Sequence, residues 1–457
     1  MDVGPDSGGP EFPPVTREQW ALSATEAQAD VAAALAQAGS RNGRHWTIVQ
    51  RVDDPDLERA RQQIREDVEQ GATGVALVFA GAPNAFGYGI PATEDALNIV
   101  LGDLPPGRVH VRIDAHPHSR TTAEMLAFHF ARKRADVSKL NLSFGIDPAA
   151  IFAGSGALRM SIGALQASMP QSLGHFFALG APGILLEADG RVFHNAGATE
   201  AQELGVMMAS TALYLRMFSE ARQPLVYATP HIGFSLSVDQ NKFLSIAKLH
   251  ALRSLWNKVQ ETFGLAPGRA SIHAETSYRM MTRRDPETNI LRSAVAGLAA
   301  ATGGADTISV LPHTIAHGLA DSAARRIARN AQIVMAEESH IGSGEDQGDA
   351  TSALQALTDS LCTAAWAEFQ TIESEGGVLQ SLADGHIQKR IHAAREALAG
   401  VYRDRARTIV GTTAFPLVTE PPVTILAGSP VDVSIEAAAT CERLSPLRID
   451  ELVDLEE

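Results

Sequence analysis

Short runs of apolar and β-branched residues recur along this chain at 46–52, 75–80, 109–115, 140–146, 183–188, 225–229, 270–276 and 307–311. Most are too uniformly apolar for strands with one wet face, and strands covered on both faces look like this. Between them lie stretches whose apolar residues return every three or four positions: 56–69, 121–134, 199–221, 240–263 and 288–302. Strand alternating with helix predicts parallel strands joined by right-handed crossovers. Eight such strands predict an α/β fold closed into a (β/α)8 parallel barrel; an open doubly wound sheet is the structural competitor.

The clearest unit is 271–312. A strand is followed by a polar loop (Arg283, Arg284, Asp285, Pro286), then by a helix with the stripe Ile290, Leu291, Ala294 and Leu298. Gly303 and Gly304 stop that helix, and a second strand closes the unit. His273, Glu275, Thr276 and Ser277 lie at the exit of its first strand, the barrel face that carries chemistry. After the eighth run the rhythm changes. Residues 320–338, 351–373 and 379–398 predict extra helices, 408–413 a short β-prone run, and 421–457 an acidic stretch punctuated by proline. The expected organisation is an N-terminal tail and helix (1–45), the barrel (46–340), a helical extension packed on it (341–420) and a linker-like C-terminal tail (421–457).

Composition acts mainly by exclusion. A chain of 457 residues has ample material for a decorated barrel. A formal net charge of −15 disfavours nucleic acid and anionic membranes as partners. Two cysteines, Cys362 and Cys441, make neither a disulfide framework nor a zinc pattern, and they suit a reducing cytoplasm. No apolar run is long enough to span a bilayer, and no basic-plus-apolar leader is expected.

Candidate chemistry gathers near the predicted strand ends. His116, His118, His194, His231, His273 and His313 fall there or in the adjoining loops, with Asp114, Glu187 and Glu275 close by. Imidazoles and carboxylates converging on one mouth could bind zinc, so a metal-dependent barrel hydrolase is one reading. The spacing is loose for a metal site, and polar loop residues around a groove explain it more simply. Glycines 87, 89, 145, 154 and 156 form no phosphate-binding fingerprint and suit loop conformations. The stripe Leu244, Ala247, Lys248, Ala251, Leu255 and Trp256 predicts a packing face, internal or between subunits.

Three blocks carry a family resemblance. The first is His273, Glu275-Thr276-Ser277, Asp285-Pro286, Asn289, Arg292 and Gly303-Gly304. The second runs from Ala324 to Gln332 and then Glu337-Glu338; the third from Ala356-Leu357-Thr358-Asp359 through Trp366 to Glu375-Gly376-Gly377. From about Trp46 to Phe415 the chain resembles the acyl-CoA-binding barrel of the cobalamin-dependent acyl-CoA mutases, the methylmalonyl-CoA mutase family. The resemblance implies a barrel enclosing a radical site. In catalytic members a first-strand Tyr helps split the cobalt–carbon bond, a His after the fifth strand meets the thioester carbonyl, and an Arg holds the substrate carboxylate.

At those positions the chain departs. The family's Trp-Thr-Ile-Arg-Gln-Tyr-Ala-Gly-Phe aligns with Trp46 to Asp54, placing Arg51 where the Tyr belongs. Aligning His-x-x-Glu-Ala-Gly-Ala on Ala196-Gly197-Ala198 puts Val192 at the His and Asn195 at the Glu; His194 stands two positions late. Glu275 replaces an expected Gln, and no counterpart of Pro-Ser-Met-Arg is found. The Asp-x-His-x-x-Gly loop that ligates cobalt is missing too, so no flavodoxin-like cobalamin domain is expected in this polypeptide. The resemblance therefore implies a small, non-catalytic subunit of a heterodimeric mutase that interconverts methylmalonyl-CoA and succinyl-CoA. No catalytic, cofactor-binding or metal residue is assigned to it, and adenosylcobalamin is expected in a partner large subunit. A catalytic acyl-CoA barrel with its cobalamin domain on a separate chain is the alternative within the family. For the partner surface, 240–263 and 320–338 are the candidates, with Leu255 and Trp256 as anchors or as internal packing.

Overall fold

The computed structural model describes residues 46–133, 135, 140–178, 183–220, 222–341, 352–431, 433 and 435–453. Eight parallel strands close into a barrel in sequence order. They are β1 (Thr47–Val52), β2 (Gly74–Leu77), β3 (His110–Ile113), β4 (Leu142–Ile146), β5 (Ile184–Asp189), β6 (Ile232–Val238), β7 (Ser271–Thr276) and β8 (Thr307–Ser309). Closure is made by β1, which pairs Val49 with Gly74 of β2 and Thr47 with Thr307 of β8.

The helices are α1 (Leu57–Glu69), α2 (Glu94–Val100), α3 (Ser119–Arg132), α4 (Pro148–Ser155), α5 (Ile162–Ala178), α6 (Arg191–Asn195) and α7 (Glu200–Glu220). Then follow α8 (Leu225–Ala228), α9 (Lys242–Thr262), α10 (Thr288–Thr302), α11 (Ser322–Ile333), α12 (Ser352–Ser374), α13 (Val378–Ala383) and α14 (His386–Arg403). Their limits follow local chemistry. The Asp56 carboxylate accepts the Arg59 N–H and caps α1. Asp147 caps α4, Pro148 occupies its first turn, and Gly156 ends it at φ +74°. No helix among the described residues is long and apolar enough to cross a membrane.

Three expectations are corrected. Residues 225–229 are no strand: they form α8 and the start of a 3-10 turn, Thr229–His231, and the sixth strand begins at Ile232. Pro224 and Pro230 favour turns there. The real strand hid because Gly233 and Ser235, small residues facing the axis, break its apolar signature. Residues 379–398 are two helices, split at Asp384-Gly385, with Gly385 at φ +77°. Residues 408–413 form a turn whose one sheet-like contact is a bridge from Val410 to Ala414.

The outer layer explains the stripe on α9. Leu255 and Trp256 are buried within this chain, and Trp256 stands edge-on to Phe234 of β6 at 5.3 Å. Helix α12 packs against both α7 and α9. The predicted partner anchors are thus internal packing. Beyond α14 the chain returns to the C-terminal face of the barrel. Ala439–Thr440 pairs antiparallel with Ala157–Leu158. The amides of Leu444, Leu447 and Ile449 donate to the carbonyls of Ala153, Asn195 and Arg279, strapping this segment across the mouth.

Candidate functional site: the barrel axis and mouth

Alternation along the strands sends every second side chain toward the axis. From β3 these are His110 and Arg112, with Asp114 just beyond; from β5, Glu187 and Asp189; from β7, His273 and Glu275. Arg191 enters from the first turn of α6 and is fully buried. Its guanidinium reaches Asp114 at 3.0 Å, Asp189 at 2.7 Å and Glu275 at 3.3 Å. Arg112 reaches Glu187 at 3.1 Å and Asp114 at 3.3 Å. Lower in the axis, His110 meets Ser143 Oγ at 3.1 Å and His273 meets Thr307 Oγ1 at 2.7 Å. Paired charges and hydrogen-bonded imidazoles therefore fill the space where a barrel enzyme would place its reacting groups.

The electrostatics fit a packed, water-poor interior. Burial opposes the charge on Asp114, but Arg191 and Arg112 outweigh it and hold the carboxyl down at about 2. Glu187 and Glu275 are shifted the other way, because burial outweighs the same guanidinia. Burial holds His110 at about 3 and His273 well below its ordinary value, so both rings are neutral near pH 7.

At the rim stands Arg51, at the end of β1. Its Nε donates to Asp53 at 2.6 Å, Nη2 donates to the Asn84 carbonyl at 2.6 Å, and the guanidinium lies 5.0 Å from the centre of the Phe86 ring. Phe86 in turn stacks on Tyr278 with centroids 4.0 Å apart. These two aromatic residues line a cavity of about 510 Å³. Its other wall is the strap, with Pro430, Val433 and Pro446.

A second cluster sits behind the mouth. His194 Nε2 faces Ser277 Oγ at 2.8 Å, and its Nδ1 lies 3.2 Å from Glu203. The order Ser, His, Glu mimics a nucleophilic triad. All three side chains are buried, however, and Lys248 takes the same Glu203 oxygen at 2.6 Å. The cluster ties α6, α7, α9 and the β7 exit together. Sequence reasoning missed Arg112, Arg191, Glu203 and Lys248 as partners. For Arg112 and Arg191 the available signal was a charge at every second position, as in Arg112/Asp114 and Glu187/Asp189/Arg191; Glu203 and Lys248, on helices, carried no such signal.

The remaining histidines are dispersed. His116 bonds the Ala80 carbonyl, and His118 accepts from Arg159. His231 precedes β6 and so lies at the opposite end from the mouth, bonded to the Gly183 carbonyl. His313 is half-buried beyond β8. Among the described residues no three His, Cys, Asp or Glu side chains converge as a metal set. Nor does the mouth suit a corrin, the cofactor implied by the family resemblance. Arg51 is engaged by Asp53 and Phe86, Val192 is packed against Gly154, and the strap already lies across the mouth.

A closed parallel barrel carrying these sequence blocks defines an acyl-CoA mutase scaffold. A family model described as methylmalonyl-CoA mutase matches residues 36–451, and the chain belongs to that family. It is 35% identical over 92% of its length to 64% of the "Methylmalonyl-CoA mutase small subunit" of Streptomyces virginiae. It is 32% identical over 82% of its length to 57% of the protein of that name from Propionibacterium freudenreichii subsp. shermanii. It is also 27% identical over 58% of its length to 37% of a "Methylmalonyl-CoA mutase large subunit" from Porphyromonas gingivalis (strain ATCC BAA-308 / W83). The chain thus spans less than two thirds of the small-subunit relatives' length.

Proposed function

We propose that this chain is the non-catalytic small subunit of a heteromeric methylmalonyl-CoA mutase. It acts beside a large subunit that binds adenosylcobalamin and interconverts methylmalonyl-CoA and succinyl-CoA. The observation that carries this reading is the filled axis: Arg112 and Arg191, neutralised by Asp114, Glu187, Asp189 and Glu275, stand where substrate would lie. Arg51, committed to Asp53 and Phe86, cannot supply the ring of a phenol or its weak acidity. The small-subunit names of the relatives support the assignment. Two cysteines, too few for a disulfide framework, suit the cytoplasm.

The test is reconstitution. The chain alone, given adenosylcobalamin and methylmalonyl-CoA, should show no turnover. Mixed with a large subunit from the same source, it should sediment as a complex at micromolar concentration. Isomerisation by the chain alone refutes the non-catalytic role; a chain that stays separate refutes the subunit role.

A further inference from the structure

A second cavity, of about 340 Å³, opens on the same barrel face but outside the axis, between the loop after β3 and the loop after β4. Its body is apolar, walled by Ile151, Leu158, Leu165 and Met169. Its other side is basic: His118, Arg120 and Arg159 line it, and no Asp or Glu does. Arg120 donates to Ser168 Oγ at 2.9 Å and Arg159 to His118 Nδ1 at 2.7 Å. Among the described residues neither guanidinium is ion-paired to a carboxylate. That contrasts with Arg51, Arg112, Arg191, Arg325, Arg329 and Arg390, each salt-bridged in this acidic chain.

The imidazole adds a directional donor. Burial and the neighbouring Arg159 hold His118 below its ordinary value, so the ring is neutral near pH 7. With Nδ1 accepting from Arg159, the proton is assigned to Nε2. The basic end therefore carries two fixed positive charges and an N–H donor, beside the hydroxyls of Ser119 and Thr121. A phosphate monoester has nearly two negative charges and three acceptor oxygens at neutral pH, which match this set. A carboxylate has half the charge and two oxygens.

We propose that this cavity binds a phosphate monoester with a short apolar substituent. Arg120, Arg159 and His118 hold the phosphate, and Leu158, Leu165 and Met169 cover the substituent. The site is separate from the filled axis and does not depend on whether the chain is catalytic.

Isothermal titration calorimetry on the full chain tests it with propyl phosphate, inorganic phosphate and butyrate. Propyl phosphate should bind saturably. It should bind about tenfold tighter than inorganic phosphate, because two or more methylenes leave water. Butyrate should bind at least about tenfold more weakly than propyl phosphate, having lost a charge and an oxygen. Arg159→Gln, at an exposed position, should weaken propyl phosphate about tenfold with unchanged thermal melting. Met169→Gln should weaken propyl phosphate while leaving inorganic phosphate unaffected. The proposal is overturned by no saturable heat with propyl phosphate, by butyrate binding as well, or by a folded Arg159→Gln variant with undiminished affinity.

Discussion

Arg191 is the residue on which the interior turns. It is fully buried and holds three carboxylates, so the cost of removing it is not that of one surface ion pair. Arg191→Met would leave Asp114, Asp189 and Glu275 crowded without their shared cation. Breaking a buried pair on one side typically costs about 3–5 kcal/mol, and urea denaturation should show a loss in that range. Glu187→Gln should behave differently. Burial already pushes that carboxyl up, so a neutral amide of the same shape should cost about 1 kcal/mol. Equal losses in the two variants would contradict the electrostatic account. The charged residues of the axis, such as Glu275, were legible in the sequence as groups near strand ends. Their pairing with Arg191 was not, because they come from β3, β5 and β7 and meet only once the barrel closes.

Among the elements, α9 shows where periodicity succeeds and where it stops. Its apolar stripe marked a packed helix correctly but could not say what it packs on. The structure supplies β6 inside and α12 outside, so Trp256 belongs to the chain's own core. Trp256→Ala should therefore destabilise the isolated subunit by about 3–5 kcal/mol, measured as a lowered thermal midpoint with no partner present. A normal midpoint would return Trp256 to the candidate interface. Helix α10 stood out because its apolar stripe ends at Gly303-Gly304, and β1, β7 and β8 because apolar and β-branched residues make up most of their runs. Strand β6 did not, since the polar axis demands Gly233 and Ser235 within it. The chemistry of the interior thus concealed the element that helps to build it.

For the molecule as a whole, the buried histidines set the response to acid. Burial holds His110 at about 3 and His116 and His250 at about 4, and it places His194 and His273 well below their ordinary value. Unfolded, each ring would take its proton near pH 6.5. Between that value and the folded one the unfolded chain binds more protons, so stability rises with pH there and is lost as pH falls. A shift of this size is worth about 2 kcal/mol per ring by pH 5. Glu187, Glu275 and Asp147, whose pKa burial raises, act in the opposite sense, with Asp147 pushed up to about 7. Five rings outweigh three carboxyls, and calorimetry should find the melting temperature falling from pH 7 to pH 5. A flat or rising profile would show that the rings are charged in the native state.

Pairing Thr47 with Thr307 also dictates an order of events during synthesis. The first strand leaves the ribosome long before the strand that will flank it on one side. Until β8 arrives, β1 presents an open edge, and the mouth gains its cover later still, when the strap emerges. Such non-local closure is slow and leaves strand edges exposed to wrong partners. Nascent chains arrested before residue 307 should therefore be cut readily within β1 and β2 by added protease. Chains released after residue 449 should resist there.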